Sequence, residues 1–325
     1  METMNRNRDA IAGMIRDAQT IAVCSHVNPD GDTLGCAAAM RLALTRLGKR
    51  VSMFCDGKVP DQLSFLPGIQ EMKMPGENEG PFDLMLAVDV SDPKRLGKCS
   101  ELIGKSSRTA QIDHHPTNPL FTEENWVDGN APAACLLIRE MLSTLGVGLD
   151  PDLAVCLYTG VSTDTGNFAF AATNAECFNL MSELMAQQLP IAKLNRILFR
   201  ERAMPQVLLL GKALSSLKYY ENGKIAVMKL TREDFRVCGA LAEHADTLVN
   251  FGLDTVGTRM ALLAREDENQ AIKFSLRAKE PDSINDVAQS FGGGGHPQAA
   301  GITMHGSLEK TVLQVLEAMI RKLNG

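Results

Sequence analysis

Four short apolar runs punctuate the first third of the chain: TIAVCSH at 20–26, RVSMFCDG at 50–57, FDLMLAVDV at 82–90 and RTAQIDHH at 108–115. With turn or helix signals between them, they read as parallel strands. Between the first two lies TLGCAAAMRLALTRLG, apolar at helical spacing and ending in a glycine suited to the position just past a helix. Strand alternating with helix predicts a doubly wound α/β sheet. From 132 to about 204 the pattern turns helical through PAACLLIREMLSTLG, PDLAVCLYTGVSTDTG and NAECFNLMSELMAQQ. Past Pro205 it changes again. SLKYYENGKIAVMKL carries an Asn-Gly turn between apolar stretches, a hairpin signal, and TRMALLAREDENQAIKFSLRAK predicts two further strands around a polar turn. A helix, a glycine run, a last strand and a last helix complete the pattern. The expected organisation is an N-terminal α/β domain over 1–189, a helical linker over 190–212 and a smaller C-terminal α/β domain over 213–325, with a cleft between the domains.

Composition narrows the function classes. At 325 residues there is room for two cores, and 45% hydrophobic with 22% charged residues is ordinary for a globular protein. No apolar stretch approaches the roughly 18 residues of a membrane span, and the N-terminus lacks the apolar segment of a signal peptide. A cytoplasmic protein with no membrane partner is expected. Eight cysteines at 24, 36, 55, 99, 135, 156, 177 and 238 form no C-x-x-C pair and read as reduced, mostly buried thiols. A net charge of −6 and 5% aromatics disfavour a long nucleic-acid track, and leave a small anionic substrate received by metals or a local basic patch.

Candidate chemistry gathers at the strand ends. The first, third and fourth predicted strands end in His26 with Asp30 and Asp32, then Asp89, then Asp113, His114 and His115. In an open α/β sheet, ligands bind beyond the carboxyl ends of the strands. In the first turn Pro29 and Gly31 set the backbone, with Asp32 the expected cap of the following helix. Side chains of neighbouring strand residues point to opposite faces, so one of His114 and His115 could meet a metal and the other the substrate. Asp164 sits in an otherwise apolar helix, where a carboxylate is costly unless paired or coordinated. Together these carboxylates and imidazoles would repel one another unless cations neutralise them. Two divalent metal ions answer that need. The oxygen-rich, partly imidazole set suits manganese, with magnesium or another transition metal as alternatives, and the lack of cysteine ligands argues against structural zinc. Farther on, Gly293, Gly294 and Gly295 could bring backbone N–H groups close to an anion, with His296 and Arg277 gripping a terminal phosphate and Arg259 a weaker candidate.

The segments SHVNPDGD, the strand ending in Asp89, DHH and STDTGNF resemble the four motifs of the DHH phosphoesterases. FGGGGHPQAAG resembles the signature of the first type of DHH-associated C-terminal domain. Within that family the size resembles the NrnA-type nano-RNases, which also act as pAp phosphatases. The resemblance implies that His26, Asp30 and Asp89 hold one metal while Asp32, Asp89, His114 and Asp164 hold the other. It also implies His115 and Asp89 as catalytic residues and Asp113 as support for the imidazoles. The expected activity is hydrolysis of very short oligoribonucleotides and of 3′,5′-bisphosphorylated adenosine (pAp), by a hydroxide that two metals activate. Rivals are a phosphodiesterase of linear or cyclic dinucleotides and a non-catalytic nucleotide sensor; a homodimer is left open. Cys36 stands where such proteins often carry serine, and NAPAACLLIRE departs from a more hydroxyl-rich segment.

Overall fold

The computed structural model describes residues 7–267 and 269–324. Two compact units divide the chain, Met1–Glu201 and Arg202–Gly325.

In the first unit the elements follow as α1 (Arg8–Asp17), β1 (Thr20–Cys24), α2 (Gly31–Arg46), β2 (Arg50–Phe54), β3 (Phe82–Val88), β4 (Ser106–Asp113), β5 (Glu124–Val127), α3 (Ala134–Thr144), α4 (Pro151–Asp164), α5 (Ala175–Met185) and α6 (Ile191–Asn195). The five strands form a parallel sheet in the order β2-β1-β3-β4-β5. Each strand feeds both faces by its alternation. Ile21, Val23, Leu84, Leu86 and Ile112 meet the helices α1 to α4, while Ala22, Cys24, Met85 and Ala87 pack under the 3-10 segment Pro93–Leu102. Burying each such leucine or isoleucine contributes about 1.5–3 kcal/mol. Helix α2 is buried on every side from Gly31 to Met40, by the sheet, α3 and α4, and α4 comes so close at Gly35 that a Cβ there would strike the Cys156 carbonyl.

The second unit contains α7 (Met204–Ser215), β6 (Lys218–Tyr220), β7 (Ile225–Leu230), α8 (Arg232–Cys238), α9 (Val249–Leu253), β8 (Met260–Glu266), β9 (Ala271–Ala278), α10 (Asn285–Ser290), β10 (Gly294–His296), β11 (Ala299–His305) and α11 (Leu308–Asn324). Its sheet runs β10-β11-β9-β8-β7-β6. Only β7 and β8 pair in parallel, so the chain needs a crossover there, and α8 and α9 supply it. The Asn-Gly turn forms as predicted: Glu221, Asn222 and Gly223 all take left-handed backbone, φ 51°, 55° and 89°. Ile225, Leu262, Phe274 and Leu276 pack under α10 and α11, and Ala226, Met228 and Leu263 under α7 and α9. Among the described residues no helix is long and apolar enough to cross a membrane.

Candidate metal centre

The sheet order reverses between β1 and β3, and the predicted ligands collect there, beyond the carboxyl ends of the strands. His26 follows β1 and is buried, with Nε2 3.6 Å from both Asp30 Oδ2 and Asp89 Oδ2. Its Nδ1 lies 2.8 Å from the Val27 carbonyl, with Arg95 Nη2 3.1 Å away. Asp30, not Asp32, caps α2: its Oδ1 accepts from the Asp32 and Thr33 amides at 3.1 and 3.2 Å. The capping position must stay outside the helix with extended backbone, as Asp30 does, and Asp32 is already the second helical residue.

Asp89 closes β3 with φ +55°, a left-handed conformation that aspartate tolerates better than most residues. That turn aims its carboxylate across the strand ends. Oδ2 faces His26, while Oδ1 lies 3.4 Å from His114 Nε2 and 3.6 Å from His115 Nδ1. His114 Nε2 also approaches Asp164 Oδ2 at 3.2 Å and Asp32 Oδ2 at 3.9 Å. All six predicted metal ligands are therefore brought together. With His115 they form overlapping donor groups, His26-Asp30-Asp89, Asp89-His114-His115 and Asp32-His114-Asp164, each with its ligand atoms within 4.8 Å of one another.

Strand alternation does not separate the two histidines, because β4 ends at Asp113 and both rings turn toward Asp89, 4.7 Å apart. Asp113 is fully buried and binds one imidazole only, with Oδ1 2.8 Å from His115 Nδ1. His114 instead sets its Nδ1 on the Ala131 carbonyl at 3.0 Å. Sequence reasoning missed Asn118, a buried amide whose Nδ2 donates to Asp113 Oδ2 at 2.6 Å and to the Val90 carbonyl at 2.9 Å. Nothing in HHPTNPL marks it as functional. It also missed Thr33, whose hydroxyl donates to the Val88 carbonyl at 3.0 Å and ties α2 to the end of β3. Two thiols belong to the site's surroundings as well: Cys36 and Cys135 lie against Asp32.

The electrostatics are those of an acid cluster short of positive charge. Burial opposes a charged ring at His26, but hydrogen bonds to Asp30 and Asp89 outweigh it and push its pKa up to about 10. At His114 burial is likewise outweighed, by Asp164 and Asp89, and the pKa rises to about 12. Burial first, then the charges of Asp89 and Asp164, raise Asp32 well above the usual carboxylate range. Burial and Asp89 raise Asp164 against the pull of His114. Asp89 Oδ1 is buried without a hydrogen-bond partner. A carboxylate oxygen that imidazoles approach but none bonds well, among other carboxylates, fits divalent cations.

In the second unit the strand register gathers two of the predicted anion contacts. Arg277 of β9 stands opposite Ala299 of β11, and Ala299 stands opposite His296 of β10, so the two basic side chains share one face across a small residue. The glycines divide. The Gly293 amide donates to the Ala288 carbonyl at the end of α10 and is not free for an anion, whereas Gly294 and Gly295 lie on β10, an edge strand. A side chain at Gly295 would strike the Ala299 carbonyl, and its φ of +147° favours glycine. Arg259 is committed to Asp282 by a two-pronged ion pair.

Residues 20–161 match the DHH family N-terminal domain, and residues 222–323 match the DHHA1 domain. The chain is 32% identical to the bifunctional oligoribonuclease and PAP phosphatase NrnA of Thermus thermophilus, over 93% of this chain and 90% of that protein. Among solved structures it resembles an exopolyphosphatase-related protein from Bacteroides fragilis, with a TM-score of 0.88 at 24% identity over 100% and 97% of the two chains. RecJ of Thermus thermophilus in complex with Mn2+ shares the fold more loosely, with a TM-score of 0.55 at 15% identity over 97% of this chain and 55% of that one.

Proposed function

The chain belongs to the DHH family, and from that membership and the geometry of its site we propose that it is a metal-dependent phosphoesterase acting on very short oligoribonucleotides and on pAp. Asp89 carries the reading: it is buried, shared between donor groups on either side, and without a hydrogen bond at Oδ1. Similarity to the Thermus oligoribonuclease and PAP phosphatase over nearly the whole of both chains supports the substrate class.

His26, Asp30 and Asp89 are assigned to one divalent cation, and Asp32, Asp89, His114 and Asp164 to a second. The donor set suits manganese. When bound, such cations lower the pKa of a water and neutralise charge developing on the phosphoryl oxygens. The protein's own groups prepare the site. The carbonyls of Val27 and Ala131 take the Nδ1 protons of His26 and His114, which leaves both Nε2 atoms to face the carboxylates. Two helix amides hold Asp30 Oδ1, so Oδ2 remains as donor. Asp113, itself fixed by Asn118, holds His115 at Nδ1. A proton taken up at His115 Nε2 would pass to the leaving oxygen and leave the ring neutral, still held at Nδ1. Arg277 and His296, with the edge of β10, are assigned to a terminal phosphate of the substrate.

A manganese-supplemented assay comparing dinucleotides, longer RNA, pAp, cyclic di-AMP and pyrophosphate tests the reading. Dinucleotides and pAp are expected to turn over fastest, with Asp89→Ala and His114→Ala inactive. Hydrolysis that survives both substitutions overturns it. Binding of nucleotide with no turnover would point to the sensor.

A further inference from the structure

Asp32 has a second side. Its Oδ2 looks toward His114 and accepts from the Ala134 amide at 2.5 Å, while Oδ1 accepts from the Cys135 amide at 3.0 Å and lies 3.7 Å from Cys36 Sγ. Cys36 Sγ is in turn 3.4 Å from Cys135 Sγ. Cys36 stands one helical turn after Asp32 on α2, hence on the same face, and Cys135 opens α3 opposite it. Gly160 of α4 makes room, since a Cβ there would strike both Cys135 Sγ and Asp32 Oδ1. Both thiols and the carboxylate are fully buried, and their ligand atoms lie within 4.8 Å of one another.

The chemistry of this trio differs from that of the hydrolytic donors. Two sulfurs and one oxygen suit a thiophilic d10 cation and not manganese or magnesium. With metal–sulfur bonds of about 2.3 Å and a metal–oxygen bond of about 2.1 Å, a tetrahedral ion spaces its donors about 3.5–3.8 Å apart. The separations of 3.4 Å between the sulfurs and 3.7 Å between Cys36 Sγ and Asp32 Oδ1 are within a few tenths of an ångström of that, and the remaining pair lies within 4.8 Å. We propose that Asp32, Cys36 and Cys135 form a binding site for a thiophilic divalent cation of the zinc and cadmium class, which takes Asp32 from the hydrolytic donor set. Each thiol yields its S–H proton to solvent as its metal–sulfur bond forms, so two protons leave and no electron moves. The binding stands by itself; the inhibition rests on the assignment of Asp32 in the proposed function.

Cadmium titrated into the metal-free, full-length protein tests the site, because cadmium thiolates absorb in the ultraviolet and carboxylate or imidazole donors give no such band. One equivalent is expected to raise the band. Cys36→Ser and Cys135→Ser should each weaken that binding at least about ten-fold, and Cys24→Ser, whose sulfur lies in the opposite core of the sheet, should leave it unchanged. No band in the wild type, or an undiminished band in both serine variants, overturns the proposal. The same cadmium should suppress manganese-supported hydrolysis by the wild type and spare the Cys36→Ser enzyme. A band accompanied by unimpaired hydrolysis overturns the competition for Asp32 and leaves the thiol site standing.

Discussion

Replacing Asp89 by asparagine removes one charge and almost no volume, at the one carboxylate that donor groups on both sides share. The backbone should accept the change, since asparagine tolerates the left-handed φ of +55° at least as well as aspartate. At an effective dielectric of about 20, two unit charges about 4 Å apart are worth about 4 kcal/mol, or about 10³ in an equilibrium constant, a floor for a divalent ion. Asp89 lies within 3.6 Å of His26 on one side and 3.4 Å of His114 on the other, so both cations should lose that much. Asp30→Asn is the matched control. Asparagine caps a helix as well as aspartate does, so α2 should keep its start, and only the group with His26 should weaken. Manganese titrations followed by calorimetry and by the electron spin resonance of free Mn2+ should therefore find two tight ions in the wild type. They should find one in Asp30→Asn and none in Asp89→Asn, whose hydrolysis should fall at least about 10³-fold. An Asp89→Asn protein that still binds one manganese ion with wild-type affinity, or retains a tenth of the activity, would refute the shared-carboxylate reasoning.

The pKa shifts set a pH dependence. The folded, metal-free chain keeps protons on His26 up to about 10 and on His114 up to about 12, against about 6.5 when unfolded, so its stability falls as pH rises above 6.5. Cations replace those protons, and the gain in Tm from manganese should grow between pH 6.5 and 9.5, about where the imidazoles would otherwise stay charged; a gain that is flat or shrinks contradicts this. Arg277→Gln and His296→Ala should raise KM for dinucleotides and pAp about ten-fold, as for loss of a charge-assisted hydrogen bond, with manganese affinity unchanged; unaltered kinetics in both would remove the anchor. Gly160→Ala would place a Cβ 2.9 Å from Cys135 Cβ and against Asp32 Oδ1, which overpacks the junction by about 1–3 kcal/mol and lowers Tm by about 2–4 °C per kcal/mol. Manganese affinity should drop with it, and a stable variant with full affinity would show that Asp32 has slack.

Much of this arrangement was legible in the chain, for a physical reason. Strands buried on both faces must be apolar runs, and a parallel sheet aligns their carboxyl ends, so polar residues just past them converge wherever the loops lead. That logic reaches His26, Asp89 and His114 without coordinates, and the cost of a carboxylate in an otherwise apolar helix reaches Asp164. It fails where local geometry decides. Glu124–Val127 is a strand of four residues with polar ones among them, too short to show a period, and only its pairing with β4 makes it β5. Whether Asp30 or Asp32 caps α2 depends on backbone angles, and both are good capping residues. The two histidines share a side because β4 stops one residue before them. The glycine run reads as a loop, yet half of it ends α10 and half pairs with β11, since glycine permits the turn from one to the other.

The thiol pair shows the limit most plainly, and also why it lies where it does. Cys36 is four residues from Asp32, a spacing that puts the two on one helix face and could be read from the sequence. Cys135 is 99 residues from Cys36, and only the packing of α2 against α3 joins them. That packing is dictated by the site itself: the α3 amides of Ala134 and Cys135 bind Asp32, so whatever side chain follows the first of them must lie beside the carboxylate. A hydroxyl there would only add a hydrogen bond. Sulfur in both places gives the same carboxylate a soft partner, and the choice between hard and soft cation then passes through one residue, Asp32.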